Sequence, residues 1–206
     1  MRNIIFDLGA VIIDIDYNLT ADAFRRLGLL HFDEIYSKAK QDHLFDRFEK
    51  GDMSDEEFRE TVRKHIPHSV SDEQIDSAWN AMLKEVPEET FGLLEEIGKQ
   101  KRIFLLSNTN RIHVRAFSKI IERQYGFARF ESLFEKAYYS CDIGMRKPDA
   151  EIFEFVLLQH GLKANETLFI DDSPQHVEGA RNCGIFAFHL RPEHRLGDAV
   201  GKLQQD

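Results

Sequence analysis

The chain has 206 residues, 42% of them hydrophobic, and a formal net charge of −9 from 27 Lys and Arg against 36 Asp and Glu. This size allows one core plus an insertion, or two small domains, and the composition is typical of a soluble globular protein. The acidic balance argues against a nucleic-acid partner, and no apolar stretch approaches the roughly 20 residues that span a bilayer. The two cysteines are too few for a disulfide framework, and no signal-peptide pattern follows Met1. We therefore expect a cytoplasmic protein, a monomer or weak homodimer, with no nucleic-acid and no membrane partner.

Short apolar runs predict the strands of a sheet. The first covers residues 3–7 and ends in Asp7, directly before Leu8 and Gly9. Near-continuous apolar strands that alternate with helical segments are typical of a parallel sheet covered on both faces. We therefore expect an α/β fold with a Rossmann-like, doubly wound parallel sheet. The later runs are residues 102–107, 136–140 (the weakest), 167–171 and 185–190.

A segment between the first and second strands has a different pattern, with many charged residues and with Phe and Leu at helical spacing. Within it, Ser54 and Glu57 form a capping-box pattern that predicts the start of a helix. Pro87 can start the helix over 88–99 that leads back into the sheet. We therefore expect a small all-helical domain inserted into the α/β core. The predicted boundaries are 17–85 for the helical domain and 1–16 with 86–206 for the core.

Polar residues follow the predicted second strand where it ends. Ser107 and Asn108 can donate side-chain hydrogen bonds, and a following helix start offers unpaired backbone N–H groups. Together these donors would make an anion site. Taken alone, the segment 107–110 is better explained as an ordinary N-cap cluster.

Two basic residues, Arg146 and Lys147, precede a predicted helix over 150–160, and Pro148 suits the first position of that helix. The helix dipole disfavours cations at this end, so a lysine here suggests an anionic ligand. A solvated charge pair explains these residues equally well.

Two adjacent carboxylates, Asp171 and Asp172, lie at the end of the strand predicted over 167–171. Adjacent carboxylates repel each other unless a cation or a proton intervenes, and an oxygen-rich cluster of this kind suits Mg²⁺. One of the two could instead cap the helix predicted over 174–182, which leaves the other unexplained.

The polar residues at the strand ends are more informative together than singly. The carboxyl ends of parallel strands share one edge of the sheet, so a carboxylate, a hydroxyl, a lysine and a carboxylate pair are expected side by side. Phosphoryl transfer needs this combination, since cations neutralise the phosphate oxygens while an oriented nucleophile attacks in line. A carboxylate nucleophile would form an aspartyl-phosphate that water then hydrolyses.

The same residues lie in segments whose order and spacing resemble the four motifs of the haloacid dehalogenase-like hydrolase superfamily. The resemblance covers nearly the whole chain, and the helical insertion is similar to the small cap domain of one large subgroup. Within that subgroup, the chain resembles the bacterial α-D-glucose-1-phosphate phosphatases, which share the glycine at the position of Gly9. The four segments are Phe6–Val11, Leu106–Thr109, Lys147–Pro148 and Ile170–Ser173.

The resemblance implies a Mg²⁺ site at the sheet edge. Asp7 is implied as both the nucleophile and a ligand of the metal, and Gly9 as a ligand through its backbone carbonyl. Asp172 is implied as a further ligand, with Asp171 binding the metal directly or through water.

The resemblance also implies the residues that contact the phosphate. Ser107 and Asn108 are implied to hold the transferring phosphoryl group. Lys147 is implied to neutralise both the phosphate and the nucleophile.

The departure from the superfamily pattern is Gly9, where most of its phosphatases carry an aspartate as general acid/base. General acid–base catalysis typically raises the reaction rate by ~10²–10⁴-fold. Its absence predicts a slower enzyme, a substituted proton donor or a substrate with a good leaving group, and a sugar 1-phosphate meets the last condition. Asp14 and Asp16 are nearby acids, but a structural role in the hairpin that leads to the cap is the simpler explanation for both.

The leading hypothesis is a Mg²⁺-dependent phosphatase of a small phosphorylated metabolite, with a cap that closes over the site and selects the substrate. A 2-haloacid dehalogenase would use the same nucleophile without a metal, but the paired acids Asp171 and Asp172 make sense only with a cation. A non-catalytic phosphate-binding regulatory protein is the third hypothesis, opposed by the presence of every other residue that hydrolysis needs. Candidate substrate contacts from the cap, each also explicable as cap core or solvated helix surface, are His43, Phe45, Asp46 and Arg47.

Overall fold

The computed structural model describes residues 1–34 and 43–202. Residues 35–42 of the predicted insertion and residues 203–206 of the predicted core lie outside the described residues. Within the described part of the chain, no helix has the length and apolar character needed to cross a lipid bilayer.

A parallel sheet forms the core of the fold. Its strands are β1 (Asn3–Phe6), β2 (Arg102–Ser107), β3 (Lys136–Tyr139), β4 (Thr167–Asp171) and β5 (Phe186–His189). Their spatial order is β3-β2-β1-β4-β5, and all neighbouring pairs are parallel. The doubly wound sheet is thus confirmed, including the weakly predicted strand at the edge. The order reverses at β1, and ligands of such sheets bind outside the carboxyl ends of the strands at this point.

Alternate residues of the strands fill a hydrophobic core on each face of the sheet. Ile4, Phe6 and Ile170 belong to one core, whereas Ile5 and Phe169 belong to the other. All of these side chains are fully buried. Because both faces are covered, polar side chains reach solvent-accessible space mainly at the strand ends.

The insertion after β1 is helical, as expected. Its helices are α1 (Tyr17–Arg26), α2 (Leu44–Glu49), α3 (Asp55–Arg63) and α4 (Asp72–Asn80). The capping box that starts α3 is confirmed, since Glu57 N donates to Ser54 Oγ at 3.1 Å and Ser54 N donates to Glu57 Oε2 at 2.7 Å. The insertion has its own hydrophobic core, which includes Phe24, Phe58 and Trp79. The boundaries of 17–85 stay a proposal.

The helices that follow cover the sheet. They are α5 (Glu88–Gly98), α6 (Arg111–Tyr125), α7 (Phe127–Glu131), α8 (Ser140–Ile143), α9 (Ala150–His160), α10 (Pro174–Asn182) and α11 (Leu196–Lys202), with a 3₁₀ turn at Ala164–Glu166.

The expected position of Pro148 in a helix is wrong. Helix α9 begins at Ala150 with Asp149 as its N-cap, and Asp149 N donates instead to Arg146 O at 3.1 Å. Residues 146–149 therefore form a turn before the helix. That turn places Lys147 inside the protein rather than at an exposed helix end, and its side chain is fully buried.

Candidate active site

Three carboxylates meet at the carboxyl edge of the sheet. Asp7 directly follows β1, Asp171 is the last residue of β4, and Asp172 follows it. One oxygen from each of the three lies within 4.8 Å of the others. The register places them together, because Phe6 pairs with Ile170 across the two central strands. Asp7 and Asp171 are buried, and Asp172 is half-buried.

The ammonium group of Lys147 bridges two of these carboxylates. Its Nζ atom donates to Asp7 Oδ1 at 2.6 Å and to Asp171 Oδ2 at 2.7 Å. A buried ammonium is stable only when acceptors surround it, and here two charged ones do so. The sequence suggested an anionic ligand for Lys147, and the anions that its side chain contacts in this structure are two carboxylates of the protein itself.

Burial and neighbouring charges shift the ionisation of the site. Burial raises the pKa of Asp7 to about 7, although Lys147 opposes this shift. Burial also acts to raise the pKa of Asp171, but Lys147 and His176 outweigh it and hold that pKa well below its usual range. Burial and the charge of Asp171 raise the pKa of Asp172. Three acids around one ammonium thus leave an excess of negative charge that a cation would relieve.

Asp171 is held by further donors that the sequence did not indicate. Ser173 N donates to Asp171 Oδ1 at 2.7 Å, and His176 Nδ1 lies 3.1 Å from both carboxylate oxygens. His176 stands on the first turn of α10, directly below the acid pair. Both oxygens of Asp171 are therefore already engaged within the protein.

The side chain of Asn108 contacts the backbone of Lys147. Its Nδ2 donates to Lys147 O at 2.8 Å, and its Oδ1 accepts from Lys147 N at 2.9 Å. This pair of hydrogen bonds fixes the lysine backbone across 39 residues of sequence. Asn108 thus positions Lys147, a contact that sequence reasoning did not predict. Ser107 is buried at the end of β2 and lines the same cavity as Asp7.

The position of Gly9 is closely packed. A Cβ atom added there would lie 2.7 Å from Cδ1 of Ile15 and 3.9 Å from Oδ2 of Asp7. Ile15 therefore occupies the space into which a side chain at position 9 would extend. Asp16 caps α1 by accepting from Asn18 N at 3.0 Å, and Asp14 is exposed in the wall of a different cavity. Neither acid contacts Asp7 among the hydrogen bonds of the described residues.

The close contact between position 9 and Ile15 leads to a prediction for a variant that carries an acid at position 9. Gly9→Asp combined with Ile15→Val, which removes Cδ1, is expected to raise kcat for alkyl phosphates more than for p-nitrophenyl phosphate. The gain should reach up to roughly 10²-fold, because only a poor leaving group needs a general acid. The measurement is kcat for both esters in wild type, both single variants and the double variant. Equal gains on the two esters would show that the acid is not what the wild type lacks.

A cavity of about 320 Å³ separates the sheet edge from the insertion. Its floor includes Asp7, Ser107 and Asp172, and its opposite wall comes from the insertion and from the first turn of α6. Phe45, Trp79 and His113 belong to that wall. Of the candidate cap contacts, Phe45 thus reaches the cavity.

Two of the other candidate contacts, His43 and Asp46, form ion pairs or hydrogen bonds within the protein. His43 Nδ1 lies 2.7 Å from Asp46 Oδ2, and Asp46 also pairs with Arg146 at 3.0 Å. Arg47 is absent from the cavity wall formed by the described residues. Sequence reasoning missed Trp79 and His113, although His113 lies in the first turn of the helix that follows the second motif.

Ion pairs hold the insertion against the core. Arg146 pairs with Glu49 of α2 at 2.8 Å, and Lys50 pairs with Asp149 at 3.0 Å. Both pairs join the turn that carries Lys147 to the insertion. The insertion is therefore in direct contact with the turn that carries the buried lysine.

Comparison with known proteins agrees with this geometry. A family model described as haloacid dehalogenase-like hydrolase matches residues 1–184. A D-ribitol-5-phosphate phosphatase from Bacteroides thetaiotaomicron is 30% identical over 194 residues, covering 94% of this chain and 93% of that protein.

Two solved structures are similar in fold to the described part of this chain. A haloacid dehalogenase family enzyme from Bacteroides thetaiotaomicron, in complex with magnesium and inorganic phosphate, is 33% identical with a TM-score of 0.86, covering 97% of this chain and 98% of that chain. A hydrolase of the same superfamily from Porphyromonas gingivalis is 30% identical with a TM-score of 0.87, covering 100% of this chain and 98% of that chain.

Proposed function

This chain belongs to the haloacid dehalogenase-like hydrolase family, and we propose that it is a Mg²⁺-dependent phosphatase of a small sugar or polyol phosphate. The observation that carries the proposal is the buried ammonium of Lys147, 2.6 Å from Asp7 and 2.7 Å from Asp171. It places a cation beside a carboxylate that faces a cavity of substrate size. A nucleophile and a preorganised cation are the two groups that phosphoryl transfer requires of a protein.

Asp7 is the nucleophile in this proposal. Its Oδ1 accepts from Lys147, so Oδ2 is the oxygen assigned to attack phosphorus. In-line attack forms the Asp7–phosphorus bond and breaks the ester P–O bond, and the departing alkoxide takes a proton from solvent water. A second water then attacks phosphorus, the Asp7–phosphorus bond breaks, and inorganic phosphate leaves with the carboxylate restored. Lys147 offsets charge on the phosphate, and Ser107 lines the cavity where the phosphoryl group would lie.

The donor set fits Mg²⁺, which prefers a few carboxylates and retains waters. We assign Asp7, Asp172 and the backbone carbonyl of Gly9 as its direct ligands. Bound there, Mg²⁺ would supply positive charge to the phosphate oxygens and to the attacking group. The related enzyme solved in complex with magnesium and inorganic phosphate supports Mg²⁺ as the metal.

Asp171 has a different role in this proposal. Its oxygens already accept from Lys147, Ser173 and His176. We therefore assign Asp171 to holding the lysine, with any contact to the metal made through water. Asn108 likewise acts through the backbone of Lys147, in addition to the phosphate contact inferred from the sequence.

The substrate class rests on two separate observations. A relative along nearly the full length is named as a D-ribitol-5-phosphate phosphatase, which supports a polyol or sugar phosphate. The glycine at position 9 favours a better leaving group, such as the anomeric oxygen of a sugar 1-phosphate. The resemblance to glucose-1-phosphate phosphatases, the cytoplasmic location and the monomer or weak dimer stay predictions.

The metal requirement tests the proposal against both alternatives. EDTA should abolish phosphate release from D-ribitol 5-phosphate and from sugar 1-phosphates, and excess Mg²⁺ should restore it. A dehalogenase would instead release halide from a 2-haloacid with or without EDTA. A regulatory phosphate-binding protein would bind phosphate and Mg²⁺ without turnover. Metal-independent phosphate release would contradict the assignment of the three acids.

A further inference from the structure

The indole of Trp79 has an unsatisfied hydrogen-bond donor. The side chain is 6% exposed, and its Nε1 atom donates to no atom of the described residues. An indole N–H can only donate, and a buried donor without an acceptor is costly to the folded state. Trp79 lines the 320 Å³ cavity above the carboxylate cluster. The missing acceptor is therefore assigned to a ligand bound in that cavity.

The ring of Trp79 is held rigidly by its neighbours. It stacks on Phe45 with ring centroids 5.6 Å apart and on His113 with centroids 5.0 Å apart. The two interplanar angles are 6° and 11°. The donor is thus preorganised, because the stack leaves the ring little freedom to turn.

The stacked His113 supplies a complementary acceptor. Its Nδ1 lies 2.8 Å from Asn80 Oδ1, and since that oxygen can only accept, Nδ1 carries the proton and Nε2 carries a lone pair. Burial lowers the pKa of His113 to about 3, so the ring stays neutral. A neutral imidazole acceptor beside an indole donor matches a hydroxyl group, which both accepts and donates.

The cavity does not favour a second negative charge on the substrate. Its upper wall is largely apolar, with Phe48, Met82 and Leu83 beside the stack. The nearby Arg146 is already paired with Glu49 and Asp46. Among the described residues, the wall therefore offers a second anionic group of a substrate no lysine or arginine without an ion-pair partner.

We propose that Trp79 and His113 select substrates that carry a hydroxyl at the end remote from the phosphate, with Trp79 Nε1 donating to that hydroxyl and His113 Nε2 accepting from it. The inference rests on the proposed phosphatase function and assigns the selection of polyol and sugar phosphates to these two side chains. Simple alkyl phosphates of the same length would leave both groups of the pair unsatisfied.

The test compares D-ribitol 5-phosphate with n-pentyl phosphate, which has the same number of carbons and no hydroxyls. Trp79→Phe keeps an aromatic ring in the stack but removes the N–H. The ratio of kcat/KM between the two substrates should fall by about 10-fold, mainly through KM, as expected for one hydrogen bond. Phe58→Leu is the control, because Phe58 packs on Trp79 in the insertion without lining the cavity, and it should leave the ratio unchanged.

A second measurement uses the natural tryptophan and does not depend on the folding of Trp79→Phe. The chain has one tryptophan, so its indole N–H gives a single NMR signal. In the Asp7→Asn variant with Mg²⁺, D-ribitol 5-phosphate should shift this signal downfield and n-pentyl phosphate should not. An unchanged substrate ratio, or equal shifts with both esters, would overturn the hydroxyl-recognition proposal. Failure of the wild type with Mg²⁺ to release phosphate from D-ribitol 5-phosphate, sugar 1-phosphates and p-nitrophenyl phosphate would instead overturn the phosphatase function itself.

Discussion

Asp7→Asn is expected to lower kcat for p-nitrophenyl phosphate by on the order of 10³-fold or more, as removal of a covalent nucleophile does in other enzymes. The amide cannot form the aspartyl-phosphate, and it offers the metal a weaker ligand. The fold should survive, because Lys147 keeps its contact with Asp171 at 2.7 Å. The measurement is steady-state phosphate release with excess Mg²⁺, with circular dichroism as the check on folding.

A matched control separates the loss of the nucleophile from a general loss of acidic charge. Asp142→Asn removes an exposed carboxylate outside the cluster, whose partner Arg111 lies 3.6 Å away. This variant should retain wild-type turnover. Full activity of Asp7→Asn would mean that another group attacks phosphorus, whereas loss of activity in both variants would indicate an electrostatic effect of the whole surface.

Lys147→Met is expected to destabilise the metal-free protein by about 3–5 kcal/mol, the cost of breaking a buried ion pair from one side. Methionine has nearly the length of lysine, so the loss comes from charge rather than from a cavity. It leaves the buried carboxylates of Asp7 and Asp171 without their shared cation. Mg²⁺ should restore part of the stability, because it binds the same acids, but it should not restore turnover.

Urea unfolding, followed by tryptophan fluorescence with EDTA and then with Mg²⁺, measures the effect. Lys50→Met is the control, since Lys50 pairs with Asp149 at 3.0 Å on the surface, and such pairs contribute at most about 1 kcal/mol. If Lys147→Met were as stable in EDTA as the wild type, the lysine would not be the counter-ion of the cluster.

Much of the fold could be predicted because its signals are local. Each strand is a short apolar run bounded by polar residues, and the start of α3 is specified by Ser54 and Glu57, three residues apart. The parallel arrangement follows from alternating strands and helices. Even the meeting of Asp7 with Asp171 and Asp172 could be expected, because parallel strands end at one edge.

The prediction failed where backbone geometry depends on distant contacts. The sequence predicts Pro148 at the first position of a helix, but residues 146–149 form a turn. Asn108, in the loop after β2, holds that turn by two hydrogen bonds to the backbone of Lys147. No local pattern carries that contact. Sequence reasoning therefore identified Lys147 as a residue that meets an anion without placing it in the interior.

The cavity wall opposite the sheet edge could not be predicted from local sequence patterns either. Trp79 and His113 come from different helices and stack only because the insertion packs on α6. Likewise, the path of the loop between Gly9 and Ile15 decides that the Ile15 side chain fills the space beside Gly9.

The sequence by itself determined the sheet, the helical insertion and the types of residue at the strand ends, because propensity, capping and hydrophobic periodicity act over a few neighbours. Only the tertiary structure decided that Lys147 is the buried partner of two acids, that Ile15 fills the space beside Gly9, and that the indole donor of Trp79 has no acceptor among the described residues. The features of Lys147 and Trp79 depend on side chains that pack together across long sequence separations, whereas Ile15 reaches Gly9 through the path of the loop that follows β1. The types of residue at the sheet edge could therefore be predicted from the sequence, whereas the wall of the cavity opposite them could be described only from the packing.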